Sequence, residues 1–289
     1  MNIYYLGPEK TYSEQAAKKL AEKIKEKSGL RPLASVEAVA RSIDGQDMGA
    51  LAYYNYLEGL VQECLDQIYE NNLRIIGAQR IPIILSIGSP KGNTDLTIYS
   101  HPKALAQCSE YLWNNHPKSR QNPSTSTAAG ALKVSENKKG LAIASSEALL
   151  ENGLEILAED IGNMRQGRKN FTDFYLVAKG NNIPYEKDKE YWTMIAITPH
   201  IDKPGLLADI LVQVAYHNLN NAKIHSRPAL DNVQIGDLEP QMFYLEIMSH
   251  KDCPDFKRCV DSLKYKLTPK GKDVEVVRVL GSYERPNVP

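Results

Sequence analysis

Cysteine is scarce, and the few present are poorly placed for chemistry. Cys64, Cys108, Cys253 and Cys259 show no CxxC spacing and have no clustered histidines nearby, which argues against a zinc site or a disulfide framework. Net charge is absent as well. Thirty-five lysines and arginines balance 35 aspartates and glutamates, so no global field recruits nucleic acid or a membrane surface. No window approaches the ~20 apolar residues needed to span a bilayer. The opening Met1-Asn2-Ile3-Tyr4-Tyr5 has neither the basic region nor the apolar core of a signal peptide. The expectation is a soluble, cytoplasmic protein with no metal, cofactor, nucleic-acid partner or membrane partner.

What remains is an ordinary globular composition, 42% hydrophobic and 24% charged over 289 residues. That length suits two domains of ~100–200 residues each. In the first 180 residues, short apolar runs alternate with helical periodicity. Ile3 to Leu6 reads as a strand broken by Gly7-Pro8. A helix follows from about Glu14 to Lys27, with Ala16, Ala17, Leu20 and Ile24 on one face. Gly49 to Tyr53 reads as a strand, with a helix through Leu60, Val61, Leu65 and Ile68 after it. The isoleucine-rich stretch from Arg74 to Ser86 reads as two strands meeting near Gly77. Further strands at 95–99, 141–144, 154–157 and 171–179, with a helix at 105–113, argue for an α/β domain with largely parallel sheets. Asn181-Asn182-Ile183-Pro184 reads as a linker. Beyond it, segments at 191–199, 205–216, 222–226, 241–247, 255–267 and 274–280 follow the βαββαβ order of a ferredoxin-like module.

Several short segments carry a resemblance. Tyr5-Leu6-Gly7-Pro8-Glu9-Lys10-Thr11-Tyr12-Ser13 resembles a Gly-Pro-x-Gly-Thr-Phe/Tyr-Ser opening. Ser100-His101-Pro102-Lys103-Ala104-Leu105-Ala106-Gln107-Cys108 resembles Ser-His-Pro-Gln-Ala-Leu-x-Gln-Cys. Ser124-Thr125-Ser126, Ala142-Ile143-Ala144-Ser145 and Gly153-Leu154 follow, and Asn170-Phe171-Thr172-Asp173-Phe174 resembles Asn-x-Thr-Arg-Phe. In this order they resemble the prephenate dehydratase family. Asp202-Lys203-Pro204-Gly205-Leu206-Leu207, Ile224-His225-Ser226-Arg227-Pro228 and Leu280-Gly281-Ser282-Tyr283 resemble its ACT regulatory domain. The resemblance spans essentially the whole chain. Each motif is short, but their order is specific.

The resemblance implies a two-lobed, periplasmic-binding-protein-like catalytic domain over residues 1–182. Lobe 1 would be about 1–79 and 169–182, and lobe 2 about 80–168, followed by a ferredoxin-like ACT domain over 190–285. It implies decarboxylating dehydration of prephenate to phenylpyruvate, in L-phenylalanine biosynthesis. Aromatisation drives that reaction, so the protein has to hold the substrate carboxylates and assist the departing hydroxide. A neutral hydroxyl can give that assistance through a hydrogen bond that strengthens as charge develops, and the family assigns this role to the position of Thr172. A strand threonine is also simply a good β-former.

Thr11, Asn55, Gln107, Ser124, Thr125, Ser126 and Phe174 are the matching candidates for substrate contact. Helix capping by the serines and a structural role for Gln107 are compatible alternatives. Lys10, Lys103, Tyr54, Tyr56 and Asp173 depart from the pattern and join the same candidate list. Asp173 either repels a substrate carboxylate or pairs with a relocated cation such as Lys10, Lys103 or Arg168; the second is preferred. Gly205, Leu206, Leu207, His225, Ser226, Arg227 and Pro228 are the implied effector contacts, with L-phenylalanine as effector and a homodimer or homotetramer as assembly. Two other readings stay open. One is a divergent member such as a non-aromatising prephenate decarboxylase or an enzyme for a related cyclohexadienol. The other is a non-catalytic amino-acid sensor.

Overall fold

The structure, a computed structural model, describes residues 1–24, 28–162, 170–180, 184–231 and 240–286. Its first elements in chain order are β1 (Asn2–Leu6), α1 (Tyr12–Ile24), β2 (Gly29–Leu33), α2 (Val36–Ser42), β3 (Met48–Asn55), β4 (Gly59–Leu60), α3 (Gln62–Glu70) and β5 (Arg74–Pro82). Next come β6 (Ser86–Ser89), β7 (Thr97–Ser100), α4 (Pro102–Gln107), α5 (Ser109–Asn115), β8 (Arg120–Pro123), α6 (Thr127–Asn137), β9 (Leu141–Ala144), α7 (Ser146–Glu151), β10 (Glu155–Ala158) and β11 (Phe171–Ala178). The last group is β12 (Tyr191–Ile197), α8 (Leu206–Tyr216), β13 (Asn221–Pro228), β14 (Gln241–Ile247), α9 (Pro254–Leu267) and β15 (Val277–Glu284).

These strands form three sheets. The first has the order β2-β1-β3-β11-β5 with β4 beside β3, the second β10-β6-β9-β7-β8, and the third β13-β14-β12-β15. β5 leaves the first sheet and β11 returns to it, so the second sheet is an excursion between two antiparallel neighbours. That excursion corrects the expectation of largely parallel sheets. β1, β2 and β3 run parallel, as do β7, β8 and β9, but every pair involving β11 or β6 is antiparallel. The third sheet has the ferredoxin-like order, with α8 and α9 on one face.

Three local expectations differ from the structure. Gly77 does not divide two strands: it sits within a continuous β5, facing Leu176 of β11. Leu60 lies in β4, and α3 begins only after Val61. The single helix expected at 105–113 is two short ones, α4 and α5, meeting at Cys108. Residues 25–27 of the expected first helix and 181–183 of the expected linker lie outside the described residues.

The first sheet is covered differently on its two faces. On one, Ala17 and Leu20 of α1 pack against Ile3, Tyr5, Met48, Ala50 and Leu176. On the other, α2 and α3 share a single apolar core with the third sheet: Val39, Leu65, Ile68 and Tyr175 pack with Trp192, Met194, Met242 and Leu280. At the crossing of β15 over β5 the backbones almost touch. Gly281 has φ +149°, and a Cβ there would lie 2.2 Å from the Ile75 carbonyl oxygen. Only glycine fits. No helix among the described residues is long and apolar enough to cross a membrane.

Candidate active site

β11 lies between β3 and β5, and strand alternation sends its side chains to opposite faces. Phe174 and Leu176 point to the α1 side, where Phe174 packs with Ala16 and Ile81. Thr172 shares that parity and stands beside Asn55 and Ile81 in the sheet register. The residue is largely buried, at 8% exposure. Asn55 Nδ2 donates to Thr172 Oγ1 at 2.9 Å. The other end of that amide is already committed, because Asn55 Oδ1 accepts from the backbone N–H groups of Leu57 (2.9 Å) and Glu58 (3.0 Å). The turn therefore fixes which end of Asn55 faces Thr172. An oxygen that accepts from Asn55 keeps its own proton for donation elsewhere.

Side chains from the second sheet's lobe meet this edge. Lys103 Nζ reaches Glu58 Oε2 at 2.5 Å, and Gln107 Nε2 reaches Glu58 Oε1 at 3.0 Å. Asn170 Nδ2 donates to Gln107 Oε1 at 3.3 Å. Tyr12 OH donates to the Ile84 carbonyl at 2.5 Å, Gln15 to Glu147 at 2.9 Å, and Lys10 stands 3.4 Å from Glu151. Ser126 caps α6 by accepting from Ala129 N at 3.0 Å, while Thr125 is exposed. Ser124 Oγ and Asn170 Oδ1 are buried without a hydrogen-bond partner among the described residues. Thr11 closes its own turn, donating to the Pro8 carbonyl at 3.0 Å. Lys10 has φ +65°, a left-handed position that glycine occupies without strain; this accounts for the glycine in the motif that Lys10 departs from.

Four candidates for substrate contact lie elsewhere. Asp173 is fully buried and, one residue on from Thr172, projects to the opposite face. Tyr54 and Tyr56 lie on that same rear face: Tyr54 stands beside Lys223, and Tyr56 OH bonds Arg80. Phe174 is on the α1 face but is sealed in the core, at 2% exposure. A strand alternates, so a motif read along one line divides between two environments.

The rear face holds a buried ionic cluster. Arg80 Nε and Nη2 grip Asp173 Oδ1 and Oδ2 at 2.7 and 2.9 Å, a bidentate fork. Burial alone would lower the Arg80 guanidinium's pKa, but the paired bonds to Asp173 outweigh it and hold it above the usual range. Lys223 of β13 lies 2.9 Å from Glu246 Oε2 and 3.9 Å from Asp173 Oδ2. Glu246 Oε1 accepts from Tyr53 OH at 2.9 Å and Tyr175 OH at 3.1 Å, and also from Tyr283 OH. Burial pushes all three phenols well above their ordinary pKa, so they are neutral donors. Tyr56 is raised to about 12 by burial and then by Asp173.

Asp173 thus pairs with a relocated cation, as preferred, but that cation is Arg80. Lys10 and Lys103 have other partners, and Arg168 lies outside the described residues. Arg80, Tyr53, Lys223 and Glu246 are the residues that reading the motifs missed. A signal existed: Arg80 interrupts an isoleucine-rich strand, and Glu246 sits between Leu245 and Ile247, where an unpaired charge would be prohibitive.

The implied effector residues spread over α8 and β13. Gly205 caps α8 with φ +80°; Leu207, Ser226 and Pro228 are exposed, and Leu206 is half-buried against the third sheet's core. Arg227 pairs with Asp66 of α3. Among the described residues His225 Nε2 is buried without a hydrogen-bond partner, and burial lowers its pKa.

The profile of the prephenate dehydratase family matches residues 3–182. The bifunctional chorismate mutase/prephenate dehydratase of Aquifex aeolicus is 29% identical over 289 residues, covering 99% of this chain and 74% of that protein. The prephenate dehydratase of Bacillus subtilis is 30% identical over 243 residues, covering 79% and 83%. Among solved structures, the prephenate dehydratase of Arthrobacter aurescens in complex with L-Phe superposes with a TM-score of 0.83 at 27% identity, covering all of this chain and 92% of that one.

Proposed function

The chain belongs to the prephenate dehydratase family, and from that premise we propose that it converts prephenate to phenylpyruvate, with Thr172 donating to the departing hydroxyl. The observation that carries the role is the Asn55–Thr172 hydrogen bond. It occupies an acceptor site on Oγ1 and leaves the hydroxyl proton to follow negative charge as the C–O bond breaks. The partnerless Ser124 hydroxyl and the N–H groups opening α6 are the proposed carboxylate contacts, a task suited to a helix N-terminus. Gln107 orients substrate from the second lobe in the same proposal.

The inverted charge at Asp173 no longer calls for a different substrate, because Arg80 compensates it within the protein. This removes the main motive for a non-aromatising branch. The third sheet with α8 and α9 is proposed as an ACT module. L-phenylalanine is its proposed effector, supported by the solved relative that carries L-Phe. A cytoplasmic homodimer or tetramer belongs to the same proposal, with β13 at one edge of its sheet and Ile224 exposed on it. Light scattering reads the assembly directly.

The deciding experiment incubates the purified chain with prephenate and follows ultraviolet absorbance and product mass. Phenylpyruvate is the expected product. A non-aromatic dihydro product would move the chain to a divergent branch, and unreacted prephenate would leave only a sensor.

A further inference from the structure

Two modules contribute to the cluster behind β11, each with one charge of either sign. Asp173 and Arg80 belong to the first sheet, Glu246 and Lys223 to the third, and Tyr53 OH bridges the carboxylates while lying 3.0 Å from Lys223 Nζ. Lys223 rides over the rings of Tyr53, Tyr54 and Trp192 at 4.9, 4.5 and 5.3 Å. Glu246 is tied to β3 through Tyr53 and to β11 through Tyr175. The two residues of β11 that enter this cluster, Asp173 and Tyr175, are Thr172's next neighbour and its next but two. A shift of the third sheet against β11 would keep both ion pairs but part the buried Glu246 from the Tyr53 and Tyr175 hydroxyls, leaving buried polar groups without their partners. It is therefore easier for β11 to follow than to stay.

We propose that Lys223 and Glu246 are positioning residues for Thr172: from the third sheet, they fix the β11 backbone that aims the hydroxyl. The proposal rests on the reading of Thr172 as the leaving-group donor. Neither residue touches the cleft, so their effect is on the aim of the donor and not on substrate affinity. β13 is tethered a second time by Arg227 to Asp66 of α3, so movement of that strand is felt by the helix as well as by the first sheet.

The test uses three variants of the full chain: Lys223→Met, Lys223→Arg, and K223M/E246Q, which removes one charge of each sign and keeps the cluster neutral. Circular dichroism establishes folding, and prephenate turnover gives kcat and KM. The expected result is a kcat lowered ~10-fold in Lys223→Met and in K223M/E246Q, with KM within about twofold of the parent. Lys223→Arg is expected to recover most of the rate. A folded K223M/E246Q with parental kcat overturns the proposal, as does a loss confined to KM or an arginine variant no better than methionine. Should Lys223→Met not fold, the other two variants decide.

Should the parent itself leave prephenate unchanged, the functional reading fails separately. Hydrogen exchange then tests the positioning claim without substrate. Lys223→Met, or K223M/E246Q in its place, is expected to raise exchange ~10-fold in residues 171–178 while leaving β1 unchanged. Unaltered exchange in β11 overturns the proposal.

Discussion

On one face of β11, Thr172 meets a single neutral amide; on the other, one residue along, Asp173 meets a guanidinium, an ammonium and a phenol. The front leaves a proton uncommitted, and Ser124 Oγ is buried without a partner among the described residues. At the rear every charge is answered. A surface that must respond to charge developing during a reaction has to leave some bonding capacity open. A surface that holds two sheets together has to leave none, because an unanswered charge there is costly. Damage at the rear should therefore cost stability, with any loss of rate passing through the aim of Thr172, and damage at the front should cost rate alone.

The sharpest break comes from Asp173→Arg, which sets a second guanidinium against Arg80 in a sealed space. It is expected to destabilise the fold by at least ~3–5 kcal/mol, measured by denaturant titration. The reciprocal pair R80D/D173R should recover much of that loss; no recovery would mean that orientation matters as much as charge. Next in size is Thr172→Ala, expected to lower kcat by at least ~100-fold with stability changed by only about 1 kcal/mol. Near-normal turnover would remove Thr172 from the chemistry and the comparison with it. Asn55→Ala tests the same face more gently. Freeing the Thr172 hydroxyl should lower kcat roughly tenfold, the equivalent of one hydrogen bond.

The smallest expected effect is a pH dependence at the rear. Burial lowers the His225 pKa below its ordinary 6.5. Below about pH 6.5 the unfolded chain takes up a proton that the folded chain still refuses, so this contribution to stability is lost as pH falls through that window. His225→Gln should flatten the slope of melting temperature against pH between ~6.5 and 5.5. An unchanged slope would assign the acid sensitivity to other groups.

The front face was the more legible of the two in the sequence. Thr172, Asn55 and Ser126 stand in short contiguous motifs that the family resemblance picks out without tertiary information. The βαββαβ order was equally readable, because apolar periodicity gives each element separately. The rear cluster was not. Its members come from β3, β5, β11, β13, β14 and β15, and nothing local in the sequence says that Glu246 and Asp173 share a phenol. Tyr54 and Tyr56 show the same limit: motif order placed them near the cleft, whereas pleat and a bulge in the β3–β11 register turn them to the back. The parallel sheets were misjudged for a related reason, since the direction of β5 and β11 depends on a lobe inserted between them.

Gly281 carries a consequence for how the molecule comes apart. With no side chain between β15 and β5, the two backbones meet directly, and Trp192, Met194 and Leu280 complete the same apolar core as Leu65 and Ile68. A cut in the connector would divide the polypeptide and leave the interior undivided. A fragment ending before Tyr191 would lose the wall of its own core, so the chain should melt in one cooperative transition and resist being parted into modules that fold alone.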